Sequence, residues 1–189
     1  MIVAIDFGIT NTDVALSNKS QYKFFSIPSK NANESFIDEI ISLVDIDITE
    51  ISQIVVTGGK SNELNESFKG VNLTKISETD AIGYGTKEIY KIENEPFITL
   101  SCGTGTACIH HQDGQFSYIG GIAVGGGTIS GLSKAILDSS SLEEITDLAL
   151  KGNRKNIDLL IGDVVNEIGI LNSNVTASNF AKLKDSNIF

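Results

Sequence analysis

Residues 5–12 read IDFGITNT and residues 100–106 read LSCGTGT, so the chain carries one short pattern twice. Each copy is an apolar strand that runs into a turn of Gly and Thr and then into a second strand. Glycine lets a backbone approach a phosphate closely because no Cβ intervenes, and threonine adds a hydroxyl donor beside the amides. Two such hairpins facing each other predict a clamp for phosphate. For either copy taken alone, a plain tight turn is the competing interpretation.

The clamp assigns phosphate contacts to residues of both turns. They are Gly8, Thr10, Asn11 and Thr12 in the first turn and Gly103, Thr104 and Gly105 in the second. Asp6 ends the first strand, and repulsion between like charges keeps its carboxylate away from a phosphate. We expect Asp6 instead to accept hydrogen bonds from waters on a Mg²⁺ ion that arrives with a nucleotide.

The charge of the chain narrows the classes of function. The 189 residues carry a formal net charge of −10, and Arg154 is the only arginine. A nucleic-acid binder would present a basic face with several Arg, so we expect no nucleic-acid partner. The chain begins with the strand-like MIVAIDF and has no apolar run long enough to cross a bilayer, so we expect a cytoplasmic protein without a membrane partner.

Strand and helix patterns alternate along the chain, which predicts an α/β fold. Helical spacing of apolar residues marks 34–44, and Ser77 with Asp80 predicts a capped helix that buries Ile82, Ile89 and Tyr90. A further helix is expected over roughly 129–137, and Ser141 with Glu144 predicts another capped start. We expect two half-domains, 1–95 and 96–189, to divide at Pro96.

Longer stretches resemble a known family. Residues 101–132 (SCGTGTACIHHQDGQFSYIGGIAVGGGTISGL) and 176–180 (TASNF) are similar to type II and eukaryotic pantothenate kinases, and the first hairpin resembles that of the acetate-and-sugar-kinase, Hsp70 and actin superfamily. The resemblance implies an actin-like ATPase (ribonuclease H-like) fold of two half-domains, each with a mixed sheet and flanking helices. Because the family continues beyond TASNF, it also implies that the second half-domain is incomplete and leaves apolar surface uncovered.

The resemblance also implies an activity. It is the phosphorylation of pantothenate to 4'-phosphopantothenate, the first step of coenzyme A synthesis, with ATP and Mg²⁺, by a protein that is a homodimer at full length. Glu78 stands where the family keeps its catalytic acid, although a first-turn Glu also simply complements a helix dipole. Asp80 is the expected capping partner. Substrate contacts are implied for Thr104, Thr106, Tyr118, Gly125, Gly126, Gly127 and Thr128.

Two alternatives for Gly125–Thr128 stay open: its amides face an anion at a helix N-terminus, or the glycines let helix and strand pack closely. Two family cations are absent, since Asp13 stands in place of a lysine and Tyr118 in place of an arginine. Each loss removes charge stabilisation from phosphoryl transfer. A kinase of another small hydroxylated metabolite, or a catalytically impaired homologue that binds nucleotide or acyl-coenzyme A, therefore stays open as well.

Overall fold

The computed structural model describes residues 1–18, 21–165 and 170–185. The first part of the chain forms a six-stranded mixed sheet. Its strands are β1 (Ile2–Phe7), β2 (Asn11–Ser17), β3 (Tyr22–Pro28), β4 (Gln53–Thr57), β5 (Ser67–Phe68) and β6 (Val71–Lys75). They lie in the order β3-β2-β1-β4-β6-β5. The pairs β1–β4 and β4–β6 are parallel and the other neighbours are antiparallel. The β5–β6 hairpin is an element that sequence patterns did not reveal.

The first helix, α1 (Glu34–Leu43), covers one face of this sheet. The side chain of Asn33 caps it by accepting a hydrogen bond of 2.9 Å from the Phe36 amide. Its apolar stripe is Phe36, Ile37, Ile40 and Ile41, and all four are buried in the core. The prediction of an amphipathic helix over 34–44 is confirmed.

A second, antiparallel sheet contains β7 (Phe97–Cys102), β8 (Thr106–Gln112) and β9 (Gln115–Ile122) in sequential order. The β8–β9 hairpin turns through Asp113 and Gly114, whose φ angles are 53° and 76°, as a type I′ turn requires. Helix α2 (Glu78–Tyr90) packs on this sheet.

The buried side of α2 differs from the prediction. Ile89 and Tyr90 are 75% and 73% exposed, and Gly83 is the residue of the helix that is buried. The Phe116 ring fills the space above Gly83, so a Cβ there would overlap the ring. Ile82 is half-buried beside Gly83, so that part of the prediction agrees with the structure. Ile89 and Tyr90 were placed on the wrong face, because the closest contact of the helix is made through a glycine.

An aromatic cluster joins α2 to the second sheet. The buried His111 ring stacks on Phe97 with centroids 4.7 Å apart and lies 4.9 Å from Phe116, which Tyr84 meets edge-on at 4.8 Å. His110 alternates with His111 along β8 and is only partly buried. The two histidines therefore face opposite sides of the sheet and do not share a site.

Gly83→Ala and Gly85→Ala are expected to change stability in opposite directions. The first should lower the free energy of unfolding by about 1–3 kcal/mol, since the Phe116 ring must move. The second faces open space in the same helix and should raise it by about 0.5–1 kcal/mol. Urea unfolding followed by circular dichroism measures both; equal effects of the two variants would contradict this packing.

The later part of the chain contains α3 (Gly126–Leu137), α4 (Leu142–Lys151), β10 (Leu159–Leu160), α5 (Ile161–Val164) and β11 (Thr176–Ser178). Contacts divide the chain into two compact units, Met1–Ile129 and Ser130–Phe189. This division falls elsewhere than the half-domain boundary at Pro96, which stays a prediction. Helix α3 starts inside the glycine run and not near residue 129, whereas the Ser141 cap of α4 is confirmed by a 3.3 Å bond from the Glu144 amide.

The single arginine, Arg154, forms its hydrogen bonds within the second unit. Arg154 donates a 2.5 Å hydrogen bond to the Thr176 hydroxyl and another to the Asn174 carbonyl. Buried Asp158 accepts a 3.0 Å bond from the Phe180 amide and a 3.3 Å bond from Thr176. These bonds tie the TASNF segment to the preceding turn, so the Arg154 side chain has a structural role.

Apolar side chains are exposed on the second sheet and on both long helices that follow it. They include Ile98, Leu100 and Ile122 on the sheet, Leu132 and Ile136 on α3, and Leu142 and Leu148 on α4. The expectation that the later half leaves sheet and helix surface uncovered is confirmed. In the described part of the chain, no helix is both long and apolar enough to span a membrane.

Candidate functional site

The two Gly/Thr turns meet at their tips. The first turn, Gly8–Thr10, joins β1 to β2, and the second, Gly103–Gly105, joins β7 to β8. The hydroxyl oxygens of Thr10 and Thr104 lie 3.2 Å apart, within hydrogen-bond distance. Residues that are distant in sequence are therefore brought to one place on the molecule, inside the Met1–Ile129 unit.

The backbone of both turns is tight and rich in donors. A Cβ at Gly8 would overlap the carbonyl oxygen of Asn11, and the Gly103 amide donates to the Gly105 carbonyl at 2.8 Å. Within the described residues, the N–H groups of Ile9, Thr10 and Thr104 have no acceptor. Adjacent amides and hydroxyls of this kind can donate hydrogen bonds to an anion.

Thr12, predicted as a phosphate ligand, lies elsewhere. Its side chain is fully buried, and its hydroxyl lies 2.9 Å from that of Ser29, which in turn donates to the Gly8 carbonyl. Direct contact with a phosphate is not available to a side chain in this position. Thr12 and Ser29 instead support the first turn from below, because strand alternation points Thr12 toward α1.

Acidic side chains gather around Asp6. In the sheet register Asp6 stands opposite Asp13 on β2 and beside Thr57 on β4, and Glu78 reaches it from the first turn of α2. Burial of the Asp6 carboxyl raises its pKa above the ordinary value of 3.8, and the negative charges of Glu78 and then Asp13 raise it further. Although Asp6 remains exposed by accessible area, neighbouring atoms partly desolvate the carboxyl itself.

The surroundings of Asp6 suit a hydrated cation. A Cβ at Gly58, where φ is +72°, would overlap Asp6 Oδ1 and lie 2.9 Å from the Phe7 carbonyl oxygen, so only glycine fits behind the carboxylate. The Thr57 hydroxyl is buried and has no hydrogen-bond partner among the described residues. Within the described residues, no group of three or more His, Cys, Asp or Glu side chains is placed so that it could bind a metal ion. Contact through metal-bound water fits this geometry, because Asp6 and Thr57 can both accept hydrogen bonds.

Asp6→Asn is expected to raise the free energy of unfolding at pH 7. A raised pKa means that the folded chain holds the Asp6 proton more tightly than the unfolded chain, so stability falls as pH rises from about 3.8 through the folded pKa. The amide removes that loss, and its advantage should vanish below pH 3.8. Urea titrations at several pH values measure this; an advantage that is independent of pH would contradict it. Removing the Glu78 charge with Glu78→Gln should reduce the effect.

Glu78 is placed at the N-terminus of α2 but takes no part in the cap. Ser77 accepts a 3.0 Å bond from the Asp80 amide and donates a 2.7 Å bond to the Asp80 carboxylate. The predicted capping role of Asp80 is therefore confirmed. The Glu78 carboxylate stays exposed and is close enough to Asp6 to shift its pKa. Its role as a catalytic group stays a prediction.

The glycine run, Gly125–Gly127, is hydrogen-bonded to the second turn. The amides of Gly126 and Gly127 donate to the carbonyls of Gly103 and Thr104 at 2.8 and 3.0 Å, and the Gly125 amide donates to the Thr128 hydroxyl at 3.3 Å. A Cβ at Gly125 would lie 2.6 Å from the Thr104 carbonyl oxygen. Close packing thus accounts for these glycines in this structure, and their contact with substrate stays a prediction.

Tyr118 is largely exposed on β9, beside an irregularity in the ladder. Cys108 pairs with Gly120 and Ile109 with Tyr118, so Ile119 is an extra residue that forms a β-bulge. The Tyr118 hydroxyl lies against Gly121, where a Cβ would be 2.6 Å from it, and Thr106 donates nearby to the Val124 carbonyl at 2.7 Å. Tyr118 and Thr106 therefore lie next to the second turn.

Sequence reasoning missed the group of Thr57 and Gly58 beside Asp6. The signal was present in the run IVVTGG (54–59), a buried strand that ends in Thr and two glycines. Its meaning depends on the parallel pairing of β1 with β4, which brings the two carboxyl ends to the same edge of the sheet.

Comparison with known proteins identifies the family of this chain. Residues 8–188 match the family model described as Fumble. The chain belongs to the Fumble family. Among its relatives, a type II pantothenate kinase of Bacillus anthracis is 34% identical over 98% of this chain and 68% of its own length. A type II pantothenate kinase of Bacillus cereus is 35% identical over 95% of this chain and 66% of its own length.

Solved structures show the fold of this Fumble-family chain. The activator of 2-hydroxyisocaproyl-CoA dehydratase from Clostridium difficile, with bound ADPNP, gives a TM-score of 0.57 at 18% identity over 85% of this chain and 59% of that one. A putative N-acetylglucosamine kinase from Porphyromonas gingivalis gives 0.52 at 15% identity, covering 88% and 66%. The predicted actin-like ATPase fold is confirmed. The chain spans about two thirds of the length of the relatives named here.

Proposed function

We propose that this Fumble-family protein transfers the γ-phosphoryl group of ATP to pantothenate, yielding 4'-phosphopantothenate. The observation that carries the proposal is the 3.2 Å approach of the Thr10 and Thr104 hydroxyls, which unites two donor-rich turns in one unit with Asp6 and Glu78. The single arginine of the chain makes its hydrogen bonds in the second unit, so the proposal assigns phosphate binding to the backbone amides and hydroxyls of the two turns.

Each group near the turns has a chemical task in this proposal. The N–H groups of Ile9, Thr10 and Thr104 and the two Thr hydroxyls bind the nucleotide phosphates. Asp6 and the Thr57 hydroxyl accept hydrogen bonds from water on Mg²⁺, which supplies positive charge against the phosphate oxygens. Glu78 accepts the proton of the attacking hydroxyl as its oxygen bonds to the γ-phosphorus, and ADP leaves with the electrons of the broken P–O bond.

The acceptor, the cellular location and the oligomeric state are proposed from the same resemblance. Relatives named as type II pantothenate kinases support pantothenate as the acceptor. We also propose a cytoplasmic location and a homodimer of the full-length protein, which rest on the family resemblance alone.

A direct assay tests the proposal. Purified protein, shown by circular dichroism to be folded, is incubated with ATP, Mg²⁺ and pantothenate, and 4'-phosphopantothenate is detected by mass spectrometry. Formation of the product supports the proposal. Its absence from folded protein that gains thermal stability with ATP would overturn the kinase and favour a nucleotide-binding homologue, since binding alone stabilises the fold.

A second candidate is a kinase of another small hydroxylated metabolite. Asp13 faces Asp6 where the resemblance expects a lysine, and Tyr118 lies beside Thr106 where it expects an arginine. Two cations of the family's transition-state stabilisation are therefore missing.

Tyr118→Arg distinguishes the two candidates. For a pantothenate kinase that has lost a cation, we expect kcat/KM for pantothenate to rise by about tenfold, a limited gain because the side chain at position 118 is largely exposed and water screens its charge. Tyr118→Lys should give part of that gain and Tyr118→Gln none. No gain from either cation would favour a different acceptor.

A further inference from the structure

Helix α2 is attached to both sheets of the Met1–Ile129 unit. Just before it, the Ile76 amide donates a 2.9 Å hydrogen bond to the Val56 carbonyl of β4, which ties the start of the helix to the first sheet. The body of the helix packs instead on β7, β8 and β9 of the second sheet. Glu78 stands in the first turn of the helix. The direction of α2 across the second sheet therefore decides where the Glu78 carboxylate lies.

A small set of contacts fixes that direction. Gly83 is the buried residue of the helix, and a Cβ there would lie 2.2 Å from an atom of the Phe116 ring. Tyr84 meets the same ring edge-on at 4.8 Å. Further along the helix, the Thr99 hydroxyl donates a 3.1 Å hydrogen bond to that of Thr86. Because the contact area is small, loss of the Phe116 ring should let the helix shift on the sheet.

The Phe116 ring is itself held by aromatic neighbours. It lies across the β8–β9 ladder from His111, whose side chain is buried and whose ring is 4.9 Å away. The Phe97 ring lies 6.3 Å from it in a tilted arrangement, one of the geometries that aromatic pairs prefer. Phe97 belongs to β7 and His111 to β8, the two strands that the second turn joins. The ring therefore connects α2 to the strands that carry the second turn.

We propose that Phe116 is a positioning residue for Glu78: its ring, seated on Gly83, holds the Glu78 carboxylate at a fixed place relative to the second turn. Gly83 lies five residues after Glu78, about 7.5 Å along the helix axis. A tilt of the helix at Gly83 therefore moves the carboxylate, and a displacement of about 1 Å can cost about 100-fold in rate. The inference rests on the proposed function, in which Glu78 accepts the proton of the attacking hydroxyl.

Phe116→Leu tests this role by kinetics. The smaller side chain loosens the seat of α2, so kcat for pantothenate should fall by about 10- to 100-fold while the affinity for a non-hydrolysable ATP analogue stays within about twofold. Ile40→Val, in the core beneath the first sheet, lowers stability away from α2 and should keep kcat. An unchanged kcat in Phe116→Leu, an equal fall of kcat in Ile40→Val, or an equal fall of kcat and nucleotide affinity would overturn the positioning role.

Gly83→Ala tests the same contact from the side of the helix. Its Cβ would meet the Phe116 ring, so kcat should fall by about tenfold or more, whereas Gly85→Ala, which faces open space, should keep the original kcat. In Phe116→Ala the ring is gone, so adding Gly83→Ala should lower kcat no further, because both changes act on one contact. Multiplied losses in the double variant would show that the two residues act separately and would overturn the proposal.

Hydrogen exchange separates this inference from the proposed function, because it needs no turnover. In Phe116→Leu, the amides of α2 from Ala81 onward, the first of which donates to the Ser77 carbonyl, should exchange at least about tenfold faster, and those of α1 at the original rate. Absence of product from the unmodified protein overturns the proposed function, and exchange still decides whether Phe116 holds α2. Unchanged exchange in α2 would overturn the inference even in an active enzyme.

Discussion

Glu78→Gln is expected to slow phosphoryl transfer to pantothenate by about 100- to 10,000-fold, the usual contribution of a general base. Glutamine keeps the size of the side chain but cannot take the proton of the attacking hydroxyl. Because Ser77 and Asp80 form the helix cap without Glu78, the fold of α2 should be preserved. Steady-state kinetics with ATP, Mg²⁺ and pantothenate measure kcat, and calorimetry with a non-hydrolysable ATP analogue measures binding.

Asp80→Asn is the matched control for this result. It changes a carboxylate two residues away that accepts a hydrogen bond from Ser77 Oγ, so kcat should change little. The bond from the Asp80 amide to Ser77 Oγ is kept, so the free energy of unfolding should fall by no more than about 1 kcal/mol, the usual worth of one hydrogen bond. If Asp80→Asn abolishes turnover and Glu78→Gln does not, the catalytic role belongs to Asp80.

Gly125→Ala is expected to weaken nucleotide binding by about tenfold or more. Its Cβ would lie 2.6 Å from the Thr104 carbonyl oxygen and 2.8 Å from that of Gly103, so the second turn must move away from the first. Overpacking of this kind costs about 1–3 kcal/mol, and roughly 1.4 kcal/mol corresponds to tenfold in affinity. Calorimetric titration with a non-hydrolysable ATP analogue measures the change.

Gly131→Ala, in the helix α3 that follows Gly125, provides the comparison. No atom lies within 4 Å of the position of its Cβ, so nucleotide affinity should stay as in the unmodified protein. The substitution should also stabilise α3 slightly, since alanine is a better helix former than glycine. Unchanged affinity in Gly125→Ala would show that the position of the second turn does not govern nucleotide binding.

Local sequence was sufficient where local rules decide the structure. Strand β1 was predicted over the residues where it is found, and the Ser77 and Ser141 caps and the Asp113-Gly114 turn follow from short-range hydrogen bonding. The stripe of α1 was likewise visible, because its four buried residues recur at helical spacing.

Features that depend on contacts between residues far apart in sequence could not be predicted from local patterns. The burial of Gly83 depends on where Phe116 arrives from another sheet, and the acidity around Asp6 depends on the register of β1 with β2. In the glycine run, the same amides could have faced a ligand or a carbonyl, and only the position of the second turn decides between them. Thr12 was predicted to contact phosphate because the Gly/Thr pattern gives residue types only. It does not show that Thr12 lies on the buried face of β2.

If the two turns bind phosphate as proposed, the contact between Thr10 and Thr104 makes that binding an exchange of hydrogen bonds. Each hydroxyl already has the other within 3.2 Å, so an incoming phosphate oxygen replaces one neutral hydrogen bond with two charge-assisted ones, which are roughly twice as strong. At the hydroxyl pair the gain comes from the difference between the two kinds of bond, and the N–H groups of Ile9, Thr10 and Thr104, which have no acceptor among the described residues, add to it. A ligand with a neutral oxygen at that position would form hydrogen bonds no stronger than the one it replaces. The threonine pair is therefore expected to favour a charged ligand without help from a Lys or Arg side chain.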